Sequence, residues 1–225
     1  MGATTMSETV ESREHLMTLA RDRALRGHTY KNLTVVGLSV DVPDFAGASF
    51  ERVTLSDGDL KAADFSRATL RQTDLTRAYL EGALLDHASL ADCHLIEADL
   101  TGAHIEDSEI HTVLMMNVGL AGARIVSTRF TASNLARARL QGAVLIKCAF
   151  AFGPTDSLTR AQLAGATLVE CDLGGANLIG ADLTGALFVK CNLQGAILTR
   201  AQVDGARLIS CNTLAADLPE GLIKR

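Results

Sequence analysis

The sequence of 225 residues predicts a solenoid, in which short coils of twenty residues stack along one axis. Three observations support this prediction. An apolar residue recurs at every fifth position, a small residue precedes it by two positions, and three cysteines are separated by twenty residues. A period of five matches neither the 3.6-residue period of an α-helix nor the two-residue period of a β-strand. We therefore expect a repeat architecture.

The five-residue period runs without interruption from residue 45 to 150 and again from 163 to 218, which gives 34 central positions. Of these, 22 are Leu and six are Phe, and 20 of the residues two positions earlier are Ala. Aromatic residues make up only 4% of the chain and Trp is absent, so small and aliphatic side chains must fill the core. We expect Ala98→Leu to overpack such a narrow coil.

All five cysteines occupy the small position of the repeat: Cys93, Cys148, Cys171, Cys191 and Cys211. The last three are twenty residues apart, so four units of five make one turn of a square coil and equivalent residues stack. Parallel side chains one strand spacing apart have poor disulfide geometry. Because neither a Cys-x-x-Cys pair nor a nearby His completes a ligand set, we predict buried free thiols.

The repeat resembles that of the pentapeptide repeat family, whose pattern is Ala-Asp/Asn-Leu-X-X. Matching units are Ala63-Asp64-Phe65, Ala98-Asp99-Leu100, Ala176-Asn177-Leu178 and Ala181-Asp182-Leu183. The resemblance covers residues 41–218 and implies an all-β fold, a right-handed quadrilateral parallel β-helix. With a strand spacing of about 4.8 Å, the rod would be roughly 40 Å long.

The N-terminal region departs from the repeat. Helix-forming residues predict a short capping α-helix over residues 8–26, packed on the first coil. Residues 28–44 are expected to form an irregular first coil, because Leu33 and Leu38 keep the spacing of five but are out of register with Phe45.

The chain accordingly divides into the N-terminal helix and capping coil, residues 1–40, the β-helix, residues 41–218, and a short tail, residues 219–225. The tail is too short for a stable capping helix. Leu222 and Ile223 fold over the last coil in one interpretation. In the other, which we favour, the last coil pairs with a second copy, and we expect a homodimer through this end.

An insertion interrupts the repeat. The predicted loop comprises Gly153, Pro154, Thr155, Asp156, Ser157, Leu158, Thr159 and Arg160. Its Gly-Pro and Asp-Ser pairs are typical of turns, so we expect it to project from one corner. It is either a tolerated insertion or a partner-binding loop, since loops on rigid scaffolds often carry binding residues.

The sequence contains no catalytic or phosphate-binding motif, and a filled β-helix offers no interior pocket for a substrate. We predict that the protein is not an enzyme and needs no cofactor. Unit counting places His87 and Asp107 one coil apart on one face, with His104 beside Glu106 nearby. A surface metal site is one interpretation of these residues. Solvated polar side chains are the commoner one, and we predict no metal.

Outward-facing apolar residues form three ladders on the twenty-residue period. The first consists of Val169, Val189 and Ile209 with Leu187 beside them, the second of Ile96 and Met116 beside Leu114, and the third of Val126 and Ile146. Contiguous apolar ladders mark partner sites, although stacking through β-propensity is the alternative. The first is the best candidate surface because it lies near the uncapped end.

Acidic residues are concentrated in one part of the chain. Its net charge of −5 combines −10 over residues 41–110 with positive charge before and after. The candidate acidic face consists of Asp57, Asp59, Asp64, Asp74, Asp92, Glu97, Asp99, Asp107 and Glu109. The best-known relatives in the resembled family are DNA mimics that bind a type II topoisomerase, DNA gyrase, and protect it from inhibitors. The resemblance therefore implies that acids on such a face would imitate phosphates.

Two functions follow as expectations. The first is a protein-interaction scaffold that binds a protein partner through its outer faces and the 153–160 loop. Some members of the resembled family accompany secretion systems, so a component of such a system is one candidate partner. The second is a DNA mimic that binds gyrase. Charge reversal after residue 110 favours the scaffold. We expect a cytoplasmic protein with neither membrane association nor direct nucleic-acid binding, because apolar runs are short and basic residues are scattered.

Overall fold

The fold is a four-sided parallel β-solenoid of about 10 turns with one short helix, which confirms the predicted fold class. The computed structural model describes residues 8–151 and 157–224. Equivalent residues on successive turns are twenty apart, as in the pairing of Phe50 with Leu70.

The helix α1 spans Arg13–Arg21. The strands are β1 Thr9–Val10, β2 Thr29–Lys31, β3 Ser49–Glu51, β4 Thr69–Arg71, β5 Ser89–Ala91, β6 His104–Glu106, β7 Glu109–His111, β8 Arg124–Val126, β9 Arg129–Thr131, β10 Val144–Ile146, β11 Ala149–Ala151, β12 Thr167–Val169, β13 Leu187–Val189, β14 Arg207–Ile209 and β15 Ile223–Lys224.

Two adjacent sides of the solenoid are sheets. The first sheet has the order β1-β2-β3-β4-β5-β7-β9-β11, and the second has the order β15-β14-β13-β12-β10-β8-β6. Single parallel bridges hold the other two sides. We call the side that begins with Thr34 and Thr54 the first bridge face, and the side that begins with Ser39 and Asp59 the second bridge face.

Corners between the sides recur every five residues because one residue per unit has a positive φ. Asp57, for example, has a φ of 57°. Main-chain hydrogen bonds then join neighbouring coils: the N–H of Leu55 donates to the carbonyl of Asp74 at 2.8 Å, and the N–H of Asp74 donates to the carbonyl of Val53 at 2.8 Å. Such bonds recur from coil to coil over the described residues and pair backbone groups that would otherwise be unsatisfied.

The interior is filled by the two inward positions of the repeat, which are almost fully buried except near the ends of the solenoid. Aromatic rings stack where Phe or Tyr replaces Leu on successive coils, with ring centroids 4.8 Å apart for Tyr30 and Phe50. The hydroxyl of Tyr30 donates to the carbonyl of Leu25 at 2.7 Å, and burial raises the pKa of Tyr30. The buried phenol is thus satisfied by the segment that follows the helix.

The N-terminal helix exists, but the expected bounds of 8–26 were wrong. Ser12 caps it, since its hydroxyl accepts a hydrogen bond from the N–H of His15 at 3.2 Å. The preceding residues form β1 instead, because Val10 continues the column of Tyr30 and is fully buried. Leu16 is buried on the inward face of the helix, as expected of a cap.

The expectation of an irregular coil over residues 28–44 was also wrong. Tyr30 and Val35 are the central residues of a regular coil, in the register that continues at Phe45. Leu33 and Leu38, which suggested a different register, occupy the position that Ala fills elsewhere. Larger residues at that position are accommodated because this coil lies at the end of the stack, next to the helix.

The insertion is shorter than the predicted loop. Leu158 is a central core residue, 2% exposed, and Ser157 bridges to Asn134 on the preceding coil. The repeat therefore resumes five residues earlier than expected, and only three extra residues separate Phe150 from Leu158. The predicted loop residues Ser157, Leu158, Thr159 and Arg160 belong to the solenoid, while Gly153, Pro154, Thr155 and Asp156 lie outside the described residues.

At the C-terminal end, β15 pairs with β14 and extends the second sheet by one strand. The inward-facing residues Cys211 and Leu218 are only partly buried, unlike their equivalents on earlier coils. Among the described residues, no helix has the length and apolar character that crossing a bilayer requires.

Candidate protein-interaction faces

Five apolar side chains form one continuous column on the outer face of the second sheet. We call this the apolar column; it consists of Val126, Ile146, Val169, Val189 and Ile209, paired in register on neighbouring strands. The side chains are half-buried. The sequence placed these residues in two separate ladders, because the twenty-residue count ignored the three-residue insertion.

The apolar column is wider at two of its coils. Val144 and Leu187 lie on the same strands as Ile146 and Val189, two residues earlier and also outward. The structure places the predicted site residues on neighbouring strands of this face: Val169, Leu187, Val189 and Ile209. The other two residues of the column, Val126 and Ile146, are also apolar in the sequence. Assigning them to the same column requires knowing that the insertion is three residues long.

The rim of this column carries mostly positive charge. Arg124 and Arg207 lie on its outer strands, and Lys147 and Lys190 lie at the adjoining corner. One acidic residue, Glu170, is also at that corner, 3.9 Å from the ammonium group of Lys190. The surface is thus an apolar strip with a mostly basic margin and with Glu106 opposite Val126 at its N-terminal end.

The second predicted ladder is smaller. Ile96 and Met116 occupy equivalent positions on successive coils of the first bridge face, and the side chain of Leu114 is exposed beside them. The next two positions are Ala136 and Thr159, so the ladder does not continue.

The acidic residues do not share one face, which corrects that expectation. Asp57, Asp74 and Glu97 lie on the first bridge face, Asp59 and Asp99 on the second, Asp64 and Asp107 on the side of the second sheet, and Asp92 and Glu109 on the side of the first sheet. A five-residue period moves consecutive units onto different sides, so a cluster in sequence becomes a belt around the rod.

Several of these carboxylates have local partners. Asp64 and Asp74 each accept a hydrogen bond from the N–H two residues later, at 2.8 and 2.9 Å. Asp57 accepts two hydrogen bonds from Arg77, at 2.7 and 2.8 Å, which lower the pKa of this carboxyl. The Asp of the repeat thus stabilises the turn, and part of the acidic charge is neutralised on the surface.

Four of the five cysteines form a single inward-facing column, of which the last is only partly buried: Cys148, Cys171, Cys191 and Cys211. The thiol of Cys191 donates to the carbonyls of Val189 and Leu168, at 3.5 and 3.4 Å. All five are free thiols, as the sequence predicts. Burial raises the pKa of Cys93 to about 11, and the hydrogen bond with Cys148 together with burial raises the pKa of Cys171 to about 12.

A group of titratable side chains lies at the N-terminal end of the second sheet. Nδ1 of His104 is 3.0 Å from Oδ1 of Asp86, and Glu106 completes a trio whose ligand atoms lie within 4.8 Å of one another. The neighbouring pair His87 and Asp107 is 3.9 Å apart. The sequence identified the pair and the His104–Glu106 strand but missed Asp86, which stands twenty residues before Glu106.

Comparison with known proteins agrees with this architecture. The family model described as pentapeptide repeats matches eight copies in the chain, over residues 44–72, 73–109, 157–195 and 176–212. No curated protein matches the chain.

Solved structures with the same fold include a trypsin-treated variant of QnrB1, a plasmid-mediated fluoroquinolone resistance protein. It is 20% identical, with a TM-score of 0.55, and the match covers 88% of this chain and 92% of that one. Full-length QnrB1 is 17% identical, with a TM-score of 0.53 and coverage of 88% and 93%. HetL, a pentapeptide repeat protein involved in heterocyst differentiation regulation from the cyanobacterium Nostoc sp., is 24% identical, with a TM-score of 0.49 and coverage of 87% and 94%.

Because the identity to the two QnrB1 structures is only 20% and 17%, the similarity to them shows the fold alone. Pentapeptide repeat proteins are typically non-enzymatic scaffolds. Because the family model matches more than half of the residues, and because the same five-residue unit recurs along the described part of the solenoid, this chain belongs to the pentapeptide repeat family.

Proposed function

We propose that this protein is a non-enzymatic scaffold that binds a protein partner along the apolar column of the second sheet. The observation that carries the proposal is the continuity of that column over five coils, from Val126 to Ile209. Four strand spacings of about 4.8 Å make it roughly 19 Å long. Single exposed apolar residues are common on protein surfaces, whereas contiguous strips of this kind favour association.

The margin of the column indicates the chemistry of the partner. Arg124, Lys147 and Arg207 flank the strip, and Glu170 at its corner is paired with Lys190. Glu106 lies opposite Val126 at the N-terminal end of the column, so the margin is basic along the rest of its length. A complementary surface is an apolar ridge flanked by Asp or Glu. Electrostatic complementarity of this kind speeds association and selects against basic partners.

Affinity capture with three forms of the full chain tests the proposal. Wild type, Val189→Asp and the control Gln194→Asp are immobilised in equal amounts and exposed to native cell extract. Gln194 is exposed and faces outward on the side of the first sheet, two coils past β11. Its substitution therefore adds the same negative charge on a different side of the rod from the apolar column. We expect at least one protein to be captured by wild type and by the control but not by Val189→Asp. Each such protein is then purified, and its binding to the three forms is measured by calorimetric titration. A set of captured proteins that is identical for all three forms would refute the proposal.

A DNA mimic that binds gyrase is the second candidate. Residues 41–110 carry a net charge of −10, and QnrB1, a fluoroquinolone resistance protein, has the same fold. The distribution of the acids around all four sides and the pairing of Asp57 and Glu109 with arginine give this candidate less support. Supercoiling by purified gyrase, with and without a fluoroquinolone, tests it: protection at micromolar protein would favour the mimic, and unchanged supercoiling would exclude it.

A further inference from the structure

Asp86, His104 and Glu106 lie together on the outer face of the second sheet, one coil before the apolar column begins. Bridges join Leu84 to His104 and His104 to Arg124, so the solenoid fixes the backbone of the trio. Asp86 and Glu106 occupy the same column on successive coils, and His104 lies two residues before Glu106 on the same strand. Their ligand atoms are within 4.8 Å of one another.

The charges of this trio are poorly balanced. Two carboxylates face outward on adjacent coils, and like charges directly opposite each other on neighbouring strands are destabilising. Asp86 is paired with the imidazole of His104 at 3.0 Å, and in the described part of the chain Glu106 makes no ion pair. Both Asp86 and His104 have side chains that are about one-third exposed, so they are accessible yet partly desolvated.

We propose that Asp86, His104 and Glu106 bind a divalent first-row transition metal ion such as Zn²⁺. One imidazole nitrogen with two carboxylates is a ligand set that suits such ions, whereas Mg²⁺ and Ca²⁺ prefer oxygen ligands alone. A tetrahedral ion with bonds of about 2.0–2.1 Å holds its ligand atoms closer than 4.8 Å, and rotation of the partly exposed carboxylate side chains would supply this contraction. The ion also neutralises the stacked pair.

Three protein ligands leave part of the coordination sphere open. Glu106 immediately precedes Val126 in the same column, so the open position lies on the side of the rod that carries the apolar column. This metal site does not depend on the proposed scaffold function, since its test uses the purified chain alone.

Calorimetric titration of chelator-treated full chain with Zn²⁺ measures the site. Wild type is expected to bind one ion per chain, and His104→Ala and Glu106→Gln are expected to weaken binding at least tenfold, about the loss that even outer-shell partners of metal ligands cause. Circular dichroism of each variant verifies the fold. His111→Ala, which removes an exposed imidazole from β7 on the first sheet, is the matched control and should bind as wild type does.

Co²⁺ absorption distinguishes this site from the thiols, because thiolate ligands give an intense near-ultraviolet band that imidazole and carboxylate ligands lack. The spectrum of wild type is expected to lack that band, and Cys211→Ser should leave binding unchanged. Absence of binding by wild type, equal binding by His104→Ala, or loss of binding in Cys211→Ser would overturn the proposal.

Discussion

Ile146 and Val169 lie directly opposite each other on β10 and β12, although they are 23 rather than twenty residues apart. The coils on both sides of the insertion keep one register, since Phe150 and Leu158 are successive central residues of the core although they are eight rather than five residues apart. Continuity of the apolar column and of the cysteine column follows from this relationship. Both columns cross the insertion without a break.

Leu158 provides a direct test of that register. Because it is a buried central residue, we expect Leu158→Ala to lower the free energy of unfolding by about 2–5 kcal/mol. Arg160→Ala changes an exposed residue of the same coil and should cost within about 0.5 kcal/mol. Denaturant unfolding followed by circular dichroism measures both. Equal, small effects would mean that Leu158 lies in a loop, as the sequence first suggested.

Most of the fold could be predicted from the sequence because five-residue and twenty-residue periods determine both the unit and its stacking. The register of the N-terminal coil could not be predicted in this way. Tyr30 stands at a central position that is usually Leu or Phe, and Leu33 stands at a position that is usually Ala. The sequence predicted the residues of the apolar column but divided them between two ladders. Val169 and Val189 share an exact period, whereas Ile146 joins them only once the length of the insertion is known.

Ala98 tests the tightness of the core. Its side chain is fully buried at the small position of the repeat, so Ala98→Leu should overpack the coil and cost about 1–3 kcal/mol or more. The matched control is Ala91→Leu, which adds the same volume at an outward position of β5. Thermal unfolding should show a lower midpoint for Ala98→Leu only. A core that accepts both substitutions would contradict the close packing described above.

Asp74 tests whether acids of the repeat are structural. Its carboxylate accepts a hydrogen bond from the N–H of Thr76 at 2.9 Å, so Asp74→Ala should cost about 1 kcal/mol. Asp74→Asn keeps the acceptor and should recover most of that loss. Asp59→Ala removes an exposed carboxylate of the same charge and is expected to leave denaturant stability almost unchanged. Equal losses for Asp59→Ala and Asp74→Ala would point to net charge rather than the hydrogen bond.

The four buried thiols should be slow to react, including Cys148, whose pKa is lowered by its hydrogen bond with Cys171 but whose side chain is buried. With a pKa of about 11, Cys93 has a thiolate fraction of about one thousandth at pH 8, and its side chain is fully buried. Only Cys211 is partly exposed, so it should be alkylated first, and its raised pKa should make labelling faster as pH increases. Iodoacetamide labelling between pH 7 and 9, resolved by mass spectrometry of peptides, measures the order. Labelling of Cys93 at the rate of Cys211 would show that the core opens.

The last coil leads to a prediction about assembly. Leu218 faces inward but is only partly covered, and Leu214 on the same coil is 67% exposed. Apolar surface and unpaired strand edges at the end of a solenoid favour stacking on a second copy. Light scattering coupled to size exclusion should therefore give about twice the chain mass of 23.8 kDa at tens of micromolar protein. Leu218→Arg should yield the monomer with an unchanged circular dichroism spectrum. Leu84→Arg alters an exposed leucine far from that end and should remain dimeric, whereas a monomeric wild type would eliminate the end-to-end dimer.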